Sequence, residues 1–210
     1  IFFVLFLISL NSWTADCIRS EKSVAQLIYL HGMDIPEKSF QEIEIRKTLE
    51  VVSKNEKIDI YLPRASMKCP NHPNQLCWMW GSEDVKSLKE EKDKILKRAR
   101  QCFRSKKQLI WVGFSNGGNR LNQFIQACLN DKYISIGGSG GIVNKPKLDL
   151  SKCGELYLAI GKQDNGNLEP ARKFFNSVKK LGAKIERIEF DGGHEVKAEV
   201  LTSLIRRALQ

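Results

Sequence analysis

The segment Gly113-Phe114-Ser115-Asn116-Gly117 places a serine between two glycines, at the spacing of a sharp strand-to-helix turn. A turn this tight crowds its central residue, so small residues are needed two before and two after it. The turn would lift the Ser115 hydroxyl to the positive end of the following helix. The Asn116 amide would there face an oxyanion as it develops. A serine hydroxyl is a poor nucleophile until a base takes its proton, and that base needs a carboxylate to fix its tautomer and stabilise its charge. His194, in Asp191-Gly192-Gly193-His194-Glu195, is the candidate base, and two glycines give its loop freedom to reach over Ser115. Asp164, in Gly161-Lys162-Gln163-Asp164, is the candidate acid. Glu189 and Asp191 are rival acids, less suitably placed because both belong to the strand that leads to His194. A second match to the serine pattern, Gly137-Gly138-Ser139-Gly140-Gly141, runs on into Val143-Asn144-Lys145-Pro146. Its glycines make a poor helix start, so it reads as a loop beside the site.

These residues need a frame, and the chain alternates apolar runs with amphipathic stretches. Residues 24–30, 57–62, 109–113, 133–136, 156–160 and 185–190 read as strands. Residues 40–52, 82–103, 116–129, 169–181 and 196–209 read as helices. Such alternation implies an α/β domain with a mostly parallel sheet of about six strands covered on both faces. Ligands bind beyond the carboxyl ends of the strands in such sheets, and Ser115, Asp164 and His194 each follow a predicted strand. His31 ends the first strand, and His72 lies in a Cys-rich loop.

The pieces LIYLHGMD, WVGFSNGGNR, LYLAIGKQD and FDGGHEV resemble, in order, those of the α/β-hydrolase superfamily, close to its phospholipase/carboxylesterase and dienelactone-hydrolase-like members. The chain order Ser, Asp, His is also that of these hydrolases. The resemblance covers most of residues 24–209. It implies a serine esterase needing no cofactor and no metal, with His31-Gly32-Met33 as the oxyanion loop, Gly32 lining the substrate pocket and the Met33 amide as second donor beside Asn116. No insertion is long enough for a cap domain. A small-molecule or lipid ester is the implied substrate. A lysophospholipase, a polyester depolymerase, a peptidase, or a non-catalytic module binding lipid or glycan would use the same scaffold.

Residues 1–10 (IFFVLFLISL) are too short an apolar run to span a bilayer as a helix. They fit a signal-peptide core with cleavage after Ala15, leaving residues 16–210 as one exported domain, periplasmic or secreted. The six cysteines agree with an oxidising compartment. Cys69, His72 and Cys77 match no closed zinc site, so a Cys69–Cys77 disulfide is expected, holding Trp78 and Trp80 near the pocket. The family fold makes the two helices flanking the Ser115 strand neighbours and so implies Cys102–Cys128, which leaves Cys17 with Cys153. The net charge is +10. Its basic residues alternate with acids, as in KSLKEEKDKILKRAR, and read as a solvated face. This argues against nucleic acid and leaves peripheral contact with anionic surfaces open. The sequence does not indicate an oligomeric state.

Overall fold

The computed structural model describes residues 16–35, 37–79, 81–103, 107–141, 143–144 and 146–210. The expected signal segment, residues 1–15, and Trp80 lie outside the described residues. In chain order the elements are β1 (Cys17–Ile18), β2 (Ala25–Leu30), α1 (Phe40–Glu56), β3 (Ile58–Tyr61), β4 (Met67–Cys69), β5 (His72–Cys77), β6 (Glu83–Asp84), α2 (Val85–Ala99), β7 (Leu109–Phe114), α3 (Asn116–Gln126), β8 (Lys132–Ile136), β9 (Val143–Asn144), β10 (Glu155–Gly161), α4 (Leu168–Lys180), β11 (Lys184–Phe190) and α5 (Ala198–Leu209).

The central sheet has seven strands in the order β1-β3-β2-β7-β8-β10-β11. Every pairing is parallel except that of β1 with β3. The expected strands are therefore all present, and the seventh is the two-residue β1, too short to leave a period in the sequence. β4 and β5 form a separate hairpin, and β6 pairs with β9. The described residues contain no cap domain.

Buried strands such as β2 and β7 read as nearly continuous apolar runs, broken in β2 by Gln26, because helices cover both of their faces. On one face α1 and α5 supply Ile45, Leu49, Leu201 and Ile205. On the other, α2, α3 and α4 supply Leu88, Ile95, Phe124 and Val178 around Trp111 and Tyr133. Helix starts follow local chemistry. Ser39 accepts from the Glu42 amide at the head of α1, and Asp84 accepts from the Ser87 amide at the head of α2. Helix α2 consequently begins after the residue-82 start expected from the sequence.

Three disulfides close the described cysteines: Cys17–Cys102, Cys69–Cys77 and Cys128–Cys153. The Cys69–Cys77 expectation holds. The other two expected pairs, Cys102–Cys128 and Cys17–Cys153, are corrected. Helices α2 and α3 share a face, but their C-terminal ends lie over different strands. The end of α2 sits by the β1 edge, where the Arg19 guanidinium donates to Gln101 O at 3.0 Å. The end of α3 meets the turn into β10, where Glu155 N donates to Asp131 O at 3.0 Å, beside the start of β8.

Candidate active site

Ser115 follows the last residue of β7 and is the N-cap of α3. Its backbone has φ 51° and ψ −112°, a strained conformation for a residue with a β-carbon. The two flanking glycines are required by sterics. A methyl group on Gly113 would lie 2.5 Å from Gly117 C, and one on Gly117 would lie 2.2 Å from Leu30 O. The elbow is thus pressed against the end of β2, the strand that runs into His31-Gly32-Met33.

Ser115 Oγ lies 2.8 Å from His194 Nε2, and His194 Nδ1 lies 2.6 Å from Asp164 Oδ2. A carboxylate accepts from Nδ1–H, so these partners assign the tautomer whose bare Nε2 accepts from the serine hydroxyl. Asp164 is buried, and its Oδ1 accepts from Asn167 Nδ2 at 2.9 Å. Both carboxylate oxygens are therefore held, and the imidazole is aimed.

The acid loop and the histidine loop are laced together. Lys162 N donates to Phe190 O, and Gln163 N to Gly192 O, each at 2.8 Å. The Gly192 amide returns a bond to Gln163 Oε1, and Lys162 Nζ meets Asp191 Oδ1 at 2.7 Å. A methyl on Gly161 would lie 2.2 Å from Gly193 O, so only glycine permits this approach. Lys162 and Gln163, outwardly odd company for a candidate acid, tie the Asp164 loop to the histidine loop. The rival acids are committed elsewhere: Glu189 to Arg172 at 2.7 and 2.9 Å, and Asp191 to Lys162.

The amides of Met33 and Asn116 have no acceptor among the described residues. Gly32 N is engaged, donating to Glu42 Oε1 at 2.8 Å, while Glu42 Oε2 accepts from Tyr29 OH at 2.9 Å. Burial raises the Glu42 carboxyl above its ordinary range. His31 donates from Nδ1 to Gly32 O at 2.6 Å and accepts at Nε2 from Ala65 N at 3.0 Å. Burial lowers its pKa to about 4. Neutral His31 and buried Glu42 thus fix the loop from both sides. Sequence reasoning passed over Glu42, although it shares a helical face with Ile45, Leu49 and Val52, and an acid on an apolar face is a readable signal.

Ser139 does not join the relay. Its amide and that of Gly140 donate to Asn119 Oδ1 at 2.8 and 3.0 Å. Trp78, expected to line the pocket, is 5% exposed. Its ring packs on His31 with centroids 5.2 Å apart, so it lies beneath the loops. Cys69 and Cys77 are consumed by their disulfide, and the described residues hold no cluster able to bind a metal.

No protein-family profile matches the sequence. No curated protein matches it either. Solved structures do match. The Bacillus cereus carboxylesterase aligns with a TM-score of 0.65 at 14% identity, over 91% of this chain and 92% of that one. A carboxylesterase from Mesorhizobium loti gives 0.64 at 14% identity, over 88% and 89%. YahD, solved with malic acid, gives 0.63 at 18% identity, over 91% and 97%. At these identities the likeness speaks for architecture alone, and that architecture is the α/β-hydrolase fold.

Proposed function

We propose that the chain is an exported serine hydrolase that cleaves carboxylic esters through an acyl-enzyme on Ser115, a carboxylesterase or lysophospholipase-like enzyme. The observation that carries this reading is the unbroken contact from Ser115 Oγ through His194 to buried Asp164. His194 Nε2 takes the hydroxyl proton as Ser115 Oγ attacks the ester carbonyl. The Met33 and Asn116 amides would receive the negative oxygen. The protonated imidazole, steadied by Asp164, passes its proton to the departing alcohol. Water then enters by the same base, and the acid leaves with Ser115 restored. Carboxylesterases among the similar folds favour esters over other acyl compounds. The lack of a cap domain among the described residues suits a small-molecule or lipid ester. Export is supported by the apolar segment at residues 1–10 and by three disulfides.

A fluorophosphonate probe tests the assignment. The expected result is stoichiometric labelling of the oxidised protein and none of Ser115→Ala. Labelling that survives that substitution would overturn it, and a folded wild type that never labels would favour the non-catalytic binding module.

A further inference from the structure

The proposed oxyanion site draws its two amides from different loops, one after β2 and one after β7. Among the described residues no hydrogen bond joins segment 31–33 directly to segment 115–117. The bridge is Trp78. Its backbone N–H donates to Asn116 Oδ1 at 2.7 Å, and its indole Nε1–H donates to His31 O at 3.0 Å. Its carbonyl accepts from Arg120 Nε at 3.0 Å, and Arg120 is itself 3% exposed. The next residue repeats the grip: Met79 N donates to Asn116 Oδ1 at 3.2 Å, and Asn116 Nδ2 donates to Met79 O at 3.0 Å. On the other side, Trp78 follows Cys77, whose disulfide to Cys69 closes the β4–β5 hairpin.

Each amide must point at one oxygen, and a misplacement of about 1 Å can cost a hundredfold in rate. A buried indole that bonds one loop through its ring and the other through its backbone fixes that separation. We propose that Trp78 is a positioning residue, a splint holding the two oxyanion-binding loops in register for ester hydrolysis. The disulfide-closed hairpin is its mount. This inference rests on the serine-esterase reading above. It reassigns Trp78 from substrate contact to loop geometry.

The experiment uses the full oxidised chain with Trp78→Phe, which keeps an aromatic ring on His31 and removes the indole donor. With p-nitrophenyl acetate, kcat should fall about 10- to 100-fold with KM little changed. Deleting an oxyanion donor outright costs about 100- to 1,000-fold. Affinity for benzeneboronic acid, whose Ser115 adduct is tetrahedral, should fall by the same factor as kcat. Asn116→Ser keeps the residue-116 amide and releases Trp78 from the other side. It should show the same split, and the double variant should lose no more than the worse single one. Unchanged kcat and boronate affinity in a Trp78→Phe protein that melts like the wild type would overturn the proposal. So would a rise in KM alone, the mark of a pocket wall. If Trp78→Phe fails to fold, Asn116→Ser decides by the same readings. A wild type that neither turns over the ester nor labels with fluorophosphonate defeats the esterase reading itself, and this splint with it.

Discussion

Ser115 and Ser139 each sit between glycines just beyond a buried strand, and the strands that lead to them, β7 and β8, are hydrogen-bonded neighbours. Their surroundings differ in what comes next. After Ser115 the chain enters α3, so the hydroxyl rests at a helix N-terminus facing His194. After Ser139 it runs through glycine into the short β9, and its amide is spent on Asn119 of that same α3. The first turn carries the proposed nucleophile, and the second is packing that flanks it: a methyl on Gly137 would lie 3.1 Å from His194 Cε1. A five-residue pattern therefore does not fix one backbone shape: Ser115 has φ 51°, whereas Ser139 is not among the residues with positive φ, and the element that follows accompanies the difference.

Ser115→Ala should cost the most, about a millionfold in kcat for an activated ester. Ser139→Ala should stay within about twofold of wild type, as expected of a residue outside the relay. Equal losses would break the contrast.

The glycines sharpen it next. Gly117→Ala drives a methyl into Leu30 O and His31 O and should destabilise the fold by about 3 kcal/mol or more, read as a fall in melting temperature. Gly140→Ala meets nothing within 4 Å and should melt close to wild type.

The smallest effect concerns the seat beneath Ser115. His31 titrates near 4 in the native state against 6.5 in the unfolded chain. Between those values the unfolded chain holds the extra proton. The stability that His31 contributes is therefore full above pH 6.5, falls as pH drops, and levels off below 4. The His31 contribution over this window is about 3 kcal/mol. Glu42, whose carboxyl burial raises, titrates with the opposite sign and offsets part of it. His31→Gln should flatten the acid branch of the melting curve against pH, and an unchanged slope would remove His31 from that branch.

Much of the fold was legible because its evidence is local. The runs LIWVG and LYLAI are apolar enough to be buried strands, and the helices carry one apolar face each. Ser115, Asp164 and His194 could be chosen because each follows a strand, where a parallel sheet gathers its loops. The hairpin strands β4 and β5 escaped notice because Pro, Asn and Cys mask any alternation. Arg120 escaped because its partners, Trp78, Glu83 and Glu91, are distant in sequence; the place of Glu42 on the apolar face of α1 was readable, but not the Gly32 amide and Tyr29 hydroxyl that it holds.

The sequence by itself determined the alternating architecture, the Ser115 turn and its order with the candidate acid and base, since these follow from periodicity and from the backbone freedom of glycine. Only the tertiary structure decided which cysteines pair, that Trp78 lies beneath the loops, and that Gln163 and Glu42 hold the site. Each of those depends on which chain ends and loops meet across the sheet, a matter of packing between segments that no local pattern encodes.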